Sequence, residues 1–150
     1  MDASRLLSSD VLLHKSNDLV DLLDRYPTLG AGFNFIGKVN SEERDNTAVH
    51  PAWKDSRCLF SISVDWEDGA AEAEKRALKL QLVDISKHLG KIVGKHGGTY
   101  VNEANPYEPD WKNAFWGPKY DRLLSIKKRV DPKNLFVCNR CVGTDIVLEP

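Results

Sequence analysis

Leu78, Leu82, Ile85, Leu89 and Ile92 recur at alternating steps of four and three residues, so all five fall on one stripe of an α-helix. The pattern predicts a long helix over about residues 70–93, with Gly94, Gly97 and Gly98 ending it. Just upstream, Cys58, Phe60, Ile62, Val64 and Trp66 alternate with Leu59, Ser61, Ser63 and Asp65, the period of a strand over 57–66. Asp68-Gly69 supplies the turn between the two elements. Any fold of this chain has to cover that stripe and that strand face with apolar partners.

The remaining elements are shorter. Ser16-Asn17-Asp18 ahead of Leu19, Val20, Leu22, Leu23 and Tyr26 reads as a capped helix, with Pro27, Gly30 and Gly32 breaking the pattern. Phe33, Phe35 and Val39 alternate with Asn34 and Lys38, predicting a strand with one buried face. Residues 40–51 are polar and read as a loop, Ser41 to Asn46 being a solvated run and His50-Pro51 its end. Thr99 to Asn102 is a short strand candidate, a turn passes through Pro106 and Pro109, and helical stretches follow at about 110–115 and 118–129. Asp131-Pro132 closes the second of these, because a residue before proline avoids the helical region. Leu135 to Cys138 is the last strand candidate. The expected fold class is α+β, an antiparallel or mixed sheet covered on one face by helices.

With 150 residues, 41% hydrophobic and 29% charged, the chain suits one soluble globular unit, which at this size buries roughly 68–70% of the surface of its unfolded form. A net charge of -1 gives no electrostatic case for nucleic acid or an anionic membrane surface. No apolar run approaches the ~18 residues of a membrane span. Met1 to Leu7 carries an early acid and only two consecutive leucines, which is no signal peptide, and with Met1 as the start the chain is expected in the cytosol. Three cysteines are too few for a disulfide framework. Cys138-Asn139-Arg140-Cys141 matches C-x-x-C once, without the second pair of ligands a structural zinc would need. Incidental thiols are the favoured reading of that pair, a labile or regulatory disulfide the second and a metal site the third.

Several sources of chemistry are missing. There is no G-x-G-x-x-G or G-x-x-x-x-G-K-[ST] phosphate cradle, and Gly30-Ala31-Gly32 lacks the third glycine. No G-x-S-x-G elbow and no H-E-x-x-H helix occurs. His14, His50, His88 and His96 have no spacing that favours a shared metal, and each reads as a surface or internally satisfied side chain.

Five separated motifs occur instead. Gly97-Gly98-Thr99-Tyr100-Val101-Asn102-Glu103-Ala104 is followed by Glu108-Pro109-Asp110-Trp111, by Trp116-Gly117-Pro118-Lys119-Tyr120-Asp121-Arg122-Leu123-Leu124-Ser125-Ile126-Lys127, by Asp131-Pro132-Lys133-Asn134-Leu135-Phe136 and by Val142-Gly143-Thr144-Asp145. Upstream, Asn46 to Asp55 reads N-T-A-V-H-P-A-W-K-D. In order and spacing these resemble fungal FAD-linked oxidases of the berberine-bridge-enzyme type. The resemblance implies residues 1–96 as part of a substrate-binding α+β domain and 97–150 as a carboxy-terminal berberine-bridge module packed on it, in one globular unit. Family members hold FAD mainly through an amino-terminal domain, often tethered by His and Cys, and that domain has no counterpart here. Lys119 stands where fungal relatives often carry Asn, and Cys138 and Cys141 fall where the family is expected to have none.

By the same resemblance Tyr100 is the substrate-facing phenol and candidate base, and Asn102 the flavin contact. In an extended segment the two share a face, with Val101 and Glu103 on the other. A free phenol titrates near 10, so base chemistry needs a neighbouring donor or cation, which the sequence does not identify. Trp116 is a candidate substrate contact, although it belongs with Trp111, Phe115 and Tyr120 to an aromatic cluster whose favoured reading is packing. Trp53 and Trp66 also read as core, and Glu103 as a turn carboxylate. The implied activity is transfer of hydride from a small, secondary-metabolite-like substrate to flavin, with O2 reoxidising it. It needs a separate FAD-domain chain or a longer polypeptide. The alternatives are a stand-alone flavin-free small-molecule-binding protein, or a cyclase or isomerase reusing the pocket, and a non-catalytic partner subunit or homo-oligomer.

Overall fold

The strand and helix on either side of Asp68-Gly69 form the centre of the molecule. A computed structural model describes residues 1–37, 47–144 and 150. Its elements are β1 (Asp2–Ser8), α1 (Ser9–His14), α2 (Ser16–Arg25), β2 (Gly30–Phe35), α3 (Ala52–Asp55), β3 (Ser56–Ser63), α4 (Glu72–Val93) and α5 (Tyr120–Val130). The sheet runs β1-β3-β2 and both pairings are antiparallel, which with the flanking helices is the α+β class expected. Val39 and the polar run 41–46 lie outside the described residues.

Ala3, Leu7, Cys58, Phe60, Ile62 and Val64 from the sheet pack against Leu82, Ile85, Leu89 and Ile92 of α4 and Leu19 and Leu22 of α2 in one core. Phe60, Ile62, Leu82, Ile85 and Leu89 are fully buried. Each such side chain contributes about 1.5–3 kcal/mol by leaving water. Helix α4 stops at Gly94, whose φ of 74° is a conformation L side chains rarely adopt. The Lys15 ammonium donates to Ile92 O (2.7 Å), satisfying one of the carbonyls the helix end leaves open.

β1 is a strand that the sequence pattern does not predict. Residues 3–7 are buried on both faces, so they lack the apolar–polar alternation that marks a half-buried strand. β2 is a strand, but without the expected buried face: Phe33 and Phe35 are 47% and 87% exposed. It sits at the sheet edge, opposite β3 (Phe33 to Phe60), and contributes no residue to the main core.

Two further strand candidates are turns. Leu6 N–H donates to Gly98 O and Thr99 N–H to Ala114 O, after which the chain bends into a 3-10 turn at Val101–Glu103. Leu135 to Cys138 forms no strand, because the Asp131 carboxylate takes the N–H groups of Leu135 (2.9 Å) and Phe136 (3.0 Å). A π-helical turn at Lys112–Trp116 and a 3-10 turn at Gly117–Lys119 lead into α5. There Trp111, Ala114 and Phe115 form a second small core with Trp116 and Tyr120 at its margin. The favoured reading of the C-x-x-C pair as incidental thiols is also corrected, since Cys138 and Cys141 are joined as a disulfide.

Candidate functional site

Tyr100 enters the 3-10 turn in an extended conformation (φ -88°, ψ 118°), and the turn folds Asn102 back over it. The Asn102 amide donates to the Tyr100 phenol oxygen at 2.8 Å. The two residues are therefore neighbours through a turn rather than through the two-residue period of a strand. The Trp53 ring meets the Tyr100 ring edge-on, centroids 5.7 Å apart at 80°. The Asn34 amide of β2 donates to the Glu103 carboxylate (3.4 Å). Tyr100 and Trp53 are half-buried and Asn102 is exposed. Trp116 packs with the second aromatic cluster instead, and its indole N–H is buried without an acceptor among the described residues.

His50 holds this corner together. Its Nδ1 accepts from Ala52 N–H (3.0 Å) and its Nε2 donates to Asn113 O (3.0 Å), which sets a neutral tautomer with both ring nitrogens used. Burial pushes the imidazole below its ordinary pKa, against the opposing pull of Asn113 O. The ring lies between two glycines. A Cβ on Gly98 would sit 2.7 Å from Nδ1, and one on Gly117 2.5 Å from Nε2. His50 thus joins the start of α3, which carries Trp53, to the segments before Tyr100 and after Trp116. An internally satisfied histidine is one of the two readings the sequence allows at this position.

A buried polar lock lies behind the site. Arg5 of β1 donates to both carboxylate oxygens of Glu108 and to Ser4 O (2.8 Å) and Ser86 O (3.2 Å). Asn105, fully buried, donates to Ser86 Oγ (3.0 Å) and accepts from Tyr107 N–H (2.9 Å). Neither Arg5 nor Glu108 stands out in the sequence as a site residue. Their signal, one basic residue in an apolar run and one acid before Pro109, has no short-range spacing to reveal it.

One cavity lies beside His50 and another beside the lock. The first, about 640 Å³, is lined by Leu6, Val11, His50, Asp55, His96 and Pro118 among others. The second, about 590 Å³, includes Arg5, Glu108, Lys87, Lys91 and Asp110 in its walls. Neither lining contains Tyr100, Asn102 or Trp116. The Tyr100–Asn102 pair is an outward-facing polar surface rather than the floor of either cavity.

Residues 99–142 match the family model described as berberine and berberine like. A protein of Arthroderma benhamiae named an uncharacterized FAD-linked oxidoreductase is 67% identical over 150 residues, all of this chain and 26% of that one. The FAD-linked oxidoreductase ffsJ of Aspergillus flavipes is 39% identical over 102 residues, covering 68% of this chain and 16% of its own length. Among solved structures, the VAO-type flavoprotein MtVAO615 of Myceliophthora thermophila C1 superposes with a TM-score of 0.80 at 25% identity, over 95% of this chain and 27% of that one. The chain therefore spans about a quarter or less of the length of these relatives. No described helix is long and apolar enough to cross a membrane.

Proposed function

Since this chain is a relative of the berberine-bridge-like FAD-linked oxidoreductases and fits a part of one, we propose that it forms the substrate-side wall of a flavin-linked oxidoreductase site. In this reading Tyr100 faces a small-molecule substrate and Asn102 faces the flavin. Residues 1–96 belong to the substrate domain and 97–150 to the berberine-like module. The observation that carries the reading is the Asn102–Tyr100 hydrogen bond, on an exposed surface inside the family-matched segment.

The residues present suit one part of FAD. The exposed Asn102 amide and the half-buried Tyr100 phenol can meet the polar edge of a planar ring, whereas the chain has no glycine-rich loop for the pyrophosphate. The bound flavin would supply the hydride acceptor. The chain's own contribution is position and proton handling. Asn102 donates to the phenol oxygen, so the Tyr100 hydroxyl proton is directed to another acceptor, and a substrate oxygen or nitrogen can take that place. Trp53 fixes the ring plane against which a substrate would rest.

The test is a chimera in which these 150 residues replace the stretch they match in the Arthroderma benhamiae relative, with the visible spectrum recorded before and after FAD is added. Flavin bands that Asn102→Ala shifts or weakens, with Tyr100→Phe slowing flavin reduction by about 10²-fold, are the expected result. A colourless chimera with no affinity for FAD would overturn the proposal.

A further inference from the structure

We propose that Cys138–Cys141 is a thiol–disulfide exchange site for a dithiol reductant, and that its oxidation state sets whether the Asn139-Arg140 turn stays clamped to the loop carrying Glu108. The ring closed by the disulfide contains two residues whose side chains both bind that loop. Asn139 Nδ2 donates to Pro106 O (2.8 Å), Arg140 Nε donates to Glu108 O (3.0 Å), and Arg140 Nη1 also donates to Pro106 O. Arg140 is 5% exposed and held at φ 54°, a region that residues other than glycine seldom occupy. A chain constrained at Cys138 and Cys141 keeps Arg140 in that conformation. Once the ring opens, the backbone is free to return to an ordinary one and withdraw the guanidinium.

The clamp reaches further through Glu108. Its carbonyl is held by Arg140 and its carboxylate by Arg5, so the C-terminal turn and β1 grip one residue from two directions. The same loop begins at the segment carrying Tyr100 and Asn102, yet the clamp acts whether or not flavin binds there. A bridge across two intervening residues removes little conformational freedom from the unfolded chain, compared with one that closes a long loop. Its effect is local. Cys138 is exposed and Cys141 half-buried, so one sulfur is open to an attacking thiolate.

The exchange balances with a dithiol alone. A reductant thiolate bonds to Cys138 Sγ, the Sγ–Sγ bond breaks, and Cys141 leaves as a thiolate that takes a proton. The reductant's second thiolate then attacks its own sulfur in the mixed disulfide and releases Cys138, which takes the second proton. The protein gains two electrons and two protons, and the reductant becomes a disulfide.

The test treats the 150-residue chain with dithiothreitol under native conditions. Alkylation mass counts the thiols, and amide exchange is followed at residues 105–110, 141–144 and in β3 and α4. Two new thiols are expected, with exchange at 105–110 and 141–144 faster by about tenfold or more while β3 and α4 stay protected. Cys138→Ser with Cys141→Ser should copy the reduced state. Arg140→Ala should loosen the 105–110 loop with the disulfide intact. A bridge reducible only in denaturant, reduction without a change in exchange, or reduction that exposes β3 and α4 equally would each overturn the proposal.

Discussion

Arg5 and Glu108 stand 103 residues apart in sequence and meet as a bidentate ion pair at 2.9 and 2.8 Å, with side chains 4% and 2% exposed. Arg5 shares a face of β1 with Ala3 and Leu7, so the charge lies on the face of the sheet that α4 covers. Desolvating two charges is costly, and their bidentate contact offsets that cost only while both are present. Glu108→Ala is therefore expected to destabilise the chain by about 3–5 kcal/mol, because it leaves the Arg5 guanidinium buried without its partner. Replacing both, as Arg5→Met with Glu108→Leu, should recover most of that loss. Urea unfolding of the single and double variants checks it, and a double variant as weak as the single one contradicts this account.

His50 should give the fold a pH dependence near neutrality. Its folded pKa lies below the ordinary value, so the unfolded chain takes up the proton first as pH falls through about 6.5. The stabilisation is complete above that pH and is lost below it. Unfolding midpoints of the native chain and His50→Gln, measured between pH 5 and 8, should converge toward the acidic end.

The glycines around the His50 ring give a steric prediction. Gly98→Ala and Gly117→Ala should each cost about 1–3 kcal/mol through overpacking. Gly117→Ala should be the worse of the two, because its φ of 54° adds backbone strain. Thermal melts of the two variants rank them, and equal stability to the native chain would remove the case for close packing here.

Tyr26 donates to the Asp84 carboxylate at 2.6 Å. Burial first, and then that carboxylate, push the phenol up to about 12. The folded chain keeps this proton longer than an unfolded phenol near 10, so the stabilisation is whole below about pH 10 and fades as pH rises through 12. Ultraviolet titration should find Tyr26 ionising late, and Asp84→Asn should bring it earlier. Tyr26→Phe is expected to cost about 1 kcal/mol.

Asp131 ends α5 and organises the turn after it. The Lys127 ammonium, with the N–H groups of Leu135 and Phe136, holds its carboxyl down to about 2. An unfolded aspartate titrates near 3.9, so the contribution is present above that pH and is lost as pH falls toward 2. Asp131→Asn should speed amide exchange at Leu135 and Phe136 without disturbing α4, and unchanged exchange would contradict it.

Local period is the part of the structure that a sequence displays openly. The α4 stripe and the Cys58–Val64 alternation are local signals; Leu82, Ile85, Leu89 and Ile92 are buried with Leu78 partly so, and Cys58, Phe60, Ile62 and Val64 are buried along β3 and the residue just past it. β1 shows no such signal because burial on both faces erases alternation. Tyr100 and Asn102 stand out by family resemblance, yet the turn that joins them depends on Gly98 bonding to β1 and on a histidine fifty residues away. Asn102 also provides the donor to the phenol that no local pattern identifies. Arg5, Glu108 and Arg140 are invisible as a network because their partners are remote in sequence. The C-x-x-C spacing is plain to read, but what its ring holds in place is not.

The strand β1 has an unusual position in time as well as space. Its backbone waits for β3, Ser4 for the Thr99 hydroxyl, the Leu6 amide for Gly98 and Arg5 for Glu108. Such remote contacts must close long loops before they stabilise anything, and they slow folding. Of the described strands, β1 is the first to leave the ribosome, and its Arg5 has no Glu108 to pair with until more than a hundred further residues have been made.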